Sequence, residues 1–191
     1  MGYALGMPFL SCPGGAHLSG EGVTAMQKFS NTRKLTISAV LMAAYLALMY
    51  ATQGFAFGAY QIRVATAMYG LAYVFPFLTV PFALANMISN LLFGGLGILD
   101  IAGGFCLGIG TAGSIALMAR RHMSLWWIMV PIWLIPGLGA PVWLSYLLHI
   151  PYGPLAFSVT AGQILPGIIG ALMVRALLRE GSAAAILHGQ K

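Results

Sequence analysis

The sequence predicts an all-α integral membrane protein, a bundle of six transmembrane helices with both termini in the cytoplasm. Of its 191 residues, 60% are hydrophobic and only 6% are charged, and the mean hydropathy is +0.89. A soluble domain has about a quarter charged residues, so this composition argues strongly against a soluble fold. Six apolar stretches of spanning length and the distribution of basic residues complete the prediction.

Basic residues give the orientation, because positive charges flanking membrane helices stay mostly in the cytoplasm. With six spans, eight of the nine Lys and Arg residues lie on the cytoplasmic side. These eight are Lys28, Arg33, Lys34, Arg120, Arg121, Arg175, Arg179 and Lys191. Arg63 alone faces outside, which makes it the first candidate for a functional residue. The formal charge of +6 does not indicate nucleic-acid binding, since the basic residues flank membrane segments instead of forming a surface stripe.

The segment before the membrane domain divides into two parts. Residues 1–25 are Gly-rich and lack periodicity, and we interpret them as an extension arising from start-codon choice or as a disordered tail. Residues 26–34 form a short basic lead. The membrane domain is predicted at 35–178, followed by a cytoplasmic tail at 179–191.

A spanning helix needs about 20 mostly apolar residues. Pro76 and Pro81 mark a tight break between the second and third spans, because proline disfavours helical conformation in the residue before it. Pro131, Pro136 and Pro141 predict a kinked or broken fifth span. The six predicted spans are 35–53, 62–80, 81–99, 100–119, 124–148 and 154–178.

Small residues recur along one face of the first span. Ala39, Ala43, Ala47 and Ala51 are four residues apart, so they share a helix face. Strips of small residues mark close helix–helix contacts in membranes. The strip either packs inside the chain's own bundle or docks onto a separate membrane subunit.

Few polar side chains interrupt the spans, and each of these needs a reason. On the predicted topology most of them lie in the outer half of the membrane, where one cavity opening outward would gather them as a substrate site. Tyr73 and Asn86 would lie near its floor. The predicted set is Gln61, Arg63, Thr66, Tyr73, Asn86, Asn90, Asp100 and Gln163.

Structural roles compete with binding at several of these positions. Asp100 precedes a predicted helix and could cap its N-terminus. Arg63 and Asp100 could pair with each other. Asn86 and Asn90 could form interhelical hydrogen bonds, and so could Gln163. The prediction of a site therefore depends on these polar residues lying close together, and not on any one of them.

No motif points to chemistry. The histidines and the two cysteines have no metal-ligand spacing, and GxSxG, HExxH and Walker motifs are absent from the sequence. We therefore expect no metal, no cofactor, no ATP hydrolysis by this chain and no enzyme activity. Among the aromatic residues, only Trp143 and Tyr152 are candidates for stacking on a ligand.

Two segments carry a family resemblance. FGAYQIRVATAM and PFALANMISNLLFGGLGILDIAGG resemble the QueT family of queuosine-precursor transporters, which are substrate-binding S components of energy-coupling factor (ECF) transporters. The resemblance covers about 35–178 and is most specific up to residue 104. Its matched positions are Phe57, Gly58, Gln61, Arg63, Asn90, Leu91, Leu99 and Asp100.

The resemblance implies an uptake mechanism at the cell membrane. S components bind a scarce small solute from outside, and they dock through an alanine motif, here Ala39, Ala43 and Ala47, onto a transmembrane coupling subunit. Two cytoplasmic ATPase subunits drive that subunit. Docking topples the bundle and carries the solute inward. The implied solute is a deazaguanine-type base, and the implied partners are these subunits and membrane lipid.

Two positions depart from the family pattern. A Glu three residues after the Arg and a Glu after a Gly on helix 6 are replaced here by Thr66 and Gln163. Asp100 is then the carboxylate left for the N–H donors of a guanine-like edge. Either Asp100 serves them, or Gln163 makes neutral amide bonds, or the solute is not a deazaguanine. The alternatives are an S component for another vitamin, a stand-alone channel or facilitator using the same outer cavity, or an intramembrane enzyme. The last lacks a nucleophile–base or metal set.

Overall fold

The chain folds entirely into helices in the parts that a computed structural model describes, which are residues 30–56, 61–94 and 96–179. The predictions for residues 1–25 and for the tail beyond Arg179 lie outside the described residues. The α-helices are α1 (Asn31–Ala51), α2 (Gln53–Ala56), α3 (Thr79–Ser89), α4 (Ile98–Arg120), α5 (Met129–Leu148) and α6 (Tyr152–Arg179). Three 3-10 segments, Val64–Tyr73, Pro76–Leu78 and Leu125–Ile128, and one π turn, Asn90–Gly94, complete the fold.

Five helical stretches in the described residues are long and apolar enough to cross a membrane. This confirms a multi-pass helical membrane fold, whereas the count of six spans and the cytoplasmic location of both termini stay predictions. The five stretches are Asn31–Ala51, Pro76–Gly94, Ile98–Arg120, Leu125–Leu148 and Tyr152–Arg179.

The second predicted span, 62–80, is the main correction. Instead of an α-helix the chain forms the 3-10 segment Val64–Tyr73 and breaks at Val74–Phe75. The next helical stretch starts at Pro76, five residues before the predicted start of the third span. Proline is tolerated in a first turn, where its missing N–H would have no intrahelical partner. Pro81 accordingly lies in the first turn of α3.

The 3-10 segment runs through the middle of the bundle, against α1, α4 and α6. Small residues allow its backbone to touch α6 directly. A Cβ at Gly70 would lie 3.0 Å from the Gly170 carbonyl oxygen, and a Cβ at Gly170 would lie 2.8 Å from the Ala67 carbonyl oxygen. Runs of 3-10 helix longer than three or four residues are uncommon, and ten residues at about 2 Å each cover about 20 Å. The segment therefore reaches far across the bundle with few residues.

The fifth span is continuous in the structure, so the predicted break does not occur. Pro136 and Pro141 both lie inside α5, and Pro131 lies in its first turn. All three prolines are buried. Membrane helices tolerate proline where neighbouring helices cover the freed backbone groups, and α5 packs extensively on α6.

Contacts between elements define the two ends of the bundle. We call the end of the bundle that carries Arg120 and Arg121 the basic end. There the Tyr73 hydroxyl donates to the Met123 carbonyl at 2.6 Å, and the Arg175 guanidinium lies 5.5 Å from the Trp126 ring centre. At the opposite end, the rings of Tyr50 and Phe93 lie 5.9 Å apart. Between them lies a buried core that includes Tyr45, Tyr69, Phe82, Leu78 and Ile115.

The orientation can be tested with one cysteine at each end of the bundle. Ser124 and Ile150 are exposed in loops at the basic and opposite ends, respectively. In a background with Cys12 and Cys106 replaced by Ser, we expect Ile150→Cys to react with an impermeant thiol reagent in intact cells. Ser124→Cys is expected to react only after permeabilisation. Labelling of Ser124→Cys in intact cells would contradict the inward orientation of the basic end.

Candidate functional site

Seven of the predicted polar residues come together inside the apolar bundle. None of them is more than 9% exposed. We call this set the polar cluster: Gln61, Arg63, Thr66, Asn86, Asn90, Asp100 and Gln163. Polar groups are costly within a membrane unless they are bonded, so the partners of each group decide what the cluster can do.

Arg63 lies at the centre of the cluster, directly before the 3-10 segment. Its Nη1 donates to Oδ1 of Asn86 at 3.3 Å and to Oδ1 of Asn90 at 3.1 Å. The two asparagines are four residues apart and share one face of the α3 stretch. A planar guanidinium can bond two acceptors at once, so Arg63 joins its own segment to that face.

The asparagine amides continue the network to α4. Nδ2 of Asn86 donates to the Gly104 carbonyl at 2.8 Å, and Nδ2 of Asn90 donates to the Asp100 carbonyl at 2.9 Å. Gly104 makes this contact possible, because a Cβ there would lie 2.5 Å from Nδ2 of Asn90. Arg63 is thus connected through Asn90 to the main chain at Asp100, and the two asparagines do form interhelical hydrogen bonds.

Asp100 lies in the first turn of α4 and is 1% exposed. The N-cap is Gly97, at φ 92°, with no side-chain cap hydrogen bond, so a capping role for Asp100 is wrong. Oδ1 accepts a hydrogen bond from Nε1 of Trp143 at 3.1 Å. Oδ2 is buried and has no hydrogen-bond partner among the described residues. This oxygen is an acceptor available inside the bundle.

Gln163 ties α6 to the same cluster. Its Nε2 donates to the Gln61 carbonyl at 3.1 Å, and its Oε1 accepts from the Thr66 hydroxyl at 2.9 Å. The Thr66 hydroxyl also lies 2.6 Å from the Arg63 carbonyl. Gln61 has a positive φ of 43°, which is uncommon for a residue other than glycine and indicates a constrained turn into the cluster.

The chain also matches the model of a known protein family. The model of the QueT transporter family matches residues 35–179, which include every helix from the body of α1 to the end of α6. The chain belongs to the QueT transporter family. No curated protein and no solved structure matches the chain.

QueT-family membership identifies the chain as a member of a transporter family and not of an enzyme family. The five apolar helices agree with a multi-pass membrane protein. Among the described residues, no three His, Cys, Asp or Glu side chains are grouped so that they could hold a metal ion.

Tyr73 does not join the polar cluster of this QueT-family chain. Its hydroxyl bonds the Met123 carbonyl at the basic end, so its predicted place at the cavity floor is not supported by the geometry. Tyr45 and Tyr69, which were not predicted, lie beside the cluster instead. The Tyr45 hydroxyl donates to Oδ1 of Asn86 at 3.3 Å and lies 3.4 Å from the Tyr69 hydroxyl.

The alanine strip of this QueT-family chain lies on the surface of the bundle. Ala39, Ala43, Ala47 and Ala51 are all exposed, whereas Ser38, Tyr45 and Met49 form the buried face of α1. Packing of the strip inside the chain's own bundle is therefore wrong for the described part of the chain. A smooth face of small residues is left for a helix of another subunit or for lipid.

Proposed function

We propose that the chain is the substrate-binding S component of an ECF importer that takes up a queuosine precursor, a deazaguanine-type base, at the cell membrane. The observation that carries this proposal is the buried polar cluster in an otherwise apolar bundle. Buried polar and ionisable groups in membrane segments commonly mark substrate pathways, because their insertion into a membrane is costly. The family name supports the choice of solute.

The inventory of the cluster favours a neutral, planar solute. Arg63 and Asp100 contribute opposite formal charges, and the remaining members are amides and a hydroxyl. A guanine-like edge has N–H donors for the Asp100 carboxylate and a carbonyl oxygen for an Arg or amide donor. A solute with strong net charge would need further charged side chains of the opposite sign.

Two positions favour a deazaguanine that carries a neutral cyano group over one that carries a cationic aminomethyl group. Thr66 and Gln163 stand where the family resemblance implies carboxylates, and they bond each other at 2.9 Å. This side of the cluster therefore has no negative charge to offer a cationic aminomethyl group. 7-Cyano-7-deazaguanine is neutral and matches the cluster better.

Uptake requires partners that supply energy. The sequence has no phosphate-binding loop. The family resemblance implies that two cytoplasmic ATPase subunits hydrolyse ATP and drive a transmembrane coupling subunit. We assign docking to Ala39, Ala43 and Ala47, which are exposed on α1. Small side chains let two helix backbones approach closely where no hydrophobic effect drives their association. Toppling of the docked bundle would then carry the solute inward.

Native mass spectrometry of the protein purified from its own membranes tests the proposal. We expect a retained mass equal to a deazaguanine base and co-purification of a coupling subunit with two ATPases. A retained flavin or biotin would refute the solute but keep the transporter class. Solute uptake by the isolated protein in liposomes, with no partner subunit, would refute the S-component role and favour a channel or facilitator.

A further inference from the structure

The indole of Trp143 and the carboxyl group of Asp100 form a contact that the proposed function does not explain. Trp143 lies on α5 and is half-buried. Its Nε1–H donates a hydrogen bond to Oδ1 of Asp100 on α4 at 3.1 Å. Oδ2 of the same group is buried without a hydrogen-bond partner among the described residues. A carboxylate has about four lone-pair sites, so one oxygen with a donor and one oxygen without any is an unequal arrangement.

A glycine makes room for this indole. A Cβ at Gly103 would lie 2.5 Å, 2.6 Å and 2.7 Å from three ring atoms of Trp143. The obstacle is the rigid ring itself, which cannot move aside as the end of a flexible chain would. Any larger residue at position 103 must displace the indole. The first turns of α4 therefore admit Trp143 at Gly103 and the Asn90 amide at Gly104.

We infer that Trp143 is a positioning residue of the solute site, which holds Oδ1 of Asp100 so that Oδ2 faces the exocyclic 2-amino N–H of the bound solute. This inference rests on the proposed function and deepens it by naming the solute's recognised group. A buried acceptor without a partner costs free energy, and that cost is recovered only when a donor arrives. The site then selects planar heterocycles whose edge carries this amino donor over those that lack it.

Selectivity between two probes tests the inference. The probes are 7-cyano-7-deazaguanine and its analogue without the 2-amino group, 7-cyano-7-deazahypoxanthine. Trp143→Phe keeps a ring but removes the N–H donor, and Gly103→Ala displaces the indole. Since a hydrogen bond to a charged group is worth about 1.5–3 kcal/mol, we expect each variant to bind the first probe about 10- to 100-fold more weakly. Binding of the second probe should change by less than about threefold.

Gly139→Ala is the matched control. It also lies at the contact between α5 and α4, where a Cβ would approach Leu107 Cδ2 at 2.5 Å, but its neighbour is an apolar, flexible side chain. We expect it to leave the ratio of the two affinities unchanged. Gly103→Ala retains Trp143, so it keeps the test decisive if Trp143→Phe does not fold.

The possible outcomes separate the inference from the function on which it rests. The positioning role is supported if Trp143→Phe or Gly103→Ala reduces the preference for 7-cyano-7-deazaguanine over 7-cyano-7-deazahypoxanthine, while Gly139→Ala leaves that preference unchanged. Equal weakening of both probes, or no change in either, refutes that role while the transporter assignment stands. If the unmodified protein binds neither probe, the proposed solute is wrong and the inference falls with it.

Discussion

Replacing Ala43 with Phe is expected to abolish uptake by the assembled importer while solute binding to the isolated protein stays within about twofold. Ala43 is exposed on α1, and the residues of α1 that face the core are Ser38, Tyr45 and Met49. A large side chain at position 43 therefore points away from the polar cluster. It would hold a docking helix away from the backbone contact that small residues permit.

The measurements are uptake of labelled solute by cells that contain the whole importer and binding to the purified single subunit. Ala161→Phe is the matched control, because Ala161 is also an exposed alanine in a membrane helix but lies on α6. We expect this control to take up solute normally. Loss of binding together with uptake in Ala43→Phe would show that α1 supports the site instead of the docking contact.

The sequence was sufficient for most of the helices, because a membrane demands long apolar segments. Segments predicted at 100–119 and 154–178 appear as Ile98–Arg120 and Tyr152–Arg179, with ends shifted by one or two residues. Convergence of the polar cluster was equally predictable. Polar side chains in apolar helices have few stable positions except against one another.

The second span could not be predicted in the same way, because hydropathy does not distinguish a 3-10 helix from an α-helix. The prediction of an α-helix at 62–80 also explains why Tyr73 was wrongly placed in the cluster. On an α-helix, Tyr73 lies about two turns from Thr66 on the same face. With three residues per turn, Arg63, Thr66 and Tyr69 share a face instead. The structure accordingly has Tyr69 beside the cluster and the Tyr73 hydroxyl at the basic end.

Tyr45 was missed for a different reason. The sequence interpretation of α1 considered only the face that carries the alanines. Tyr45 lies on the opposite face of this apolar helix and is fully buried. A buried tyrosine hydroxyl usually finds a partner, and this one finds Asn86 and Tyr69. The available signal was a single tyrosine hydroxyl on the face of α1 away from the alanines.

The second large effect is expected at Arg63. Arg63→Ala removes the donor that bonds Asn86 and Asn90, and it leaves two buried amide oxygens with fewer partners. An unsatisfied buried acceptor costs about 1–3 kcal/mol, so we expect lower thermal stability. A loss of the same size at the solute site would weaken binding about 5- to 150-fold. Arg63→Lys keeps the charge and can donate to two acceptors, but its compact ammonium does not reproduce the position of the guanidinium Nη1, so its binding should be intermediate.

Coupling between Arg63 and Asp100 gives the sharper form of this prediction. Asn90 accepts from Arg63 through Oδ1 and donates through Nδ2 to the main-chain carbonyl of Asp100, so it connects the guanidinium to the backbone that carries the Asp100 carboxylate. We expect the double variant Arg63→Ala with Asp100→Asn to weaken binding no more than the more damaging of the two single variants does. Residues that act as one unit are non-additive in this way, whereas independent sites add to within about 0.3–0.5 kcal/mol.

The same single and double variants of Arg63 and Asp100, made in an Asn90→Ala background, test whether Asn90 carries the coupling. If it does, the effects of Arg63→Ala and Asp100→Asn on binding become additive once the amide is gone. Coupling that persists in this background would mean that the charged groups act on each other or on the solute directly. Additive effects in the unmodified background would refute the connected cluster altogether. In that case Arg63 and Asp100 would be separate contributors, and the lone arginine away from the basic end would need another explanation.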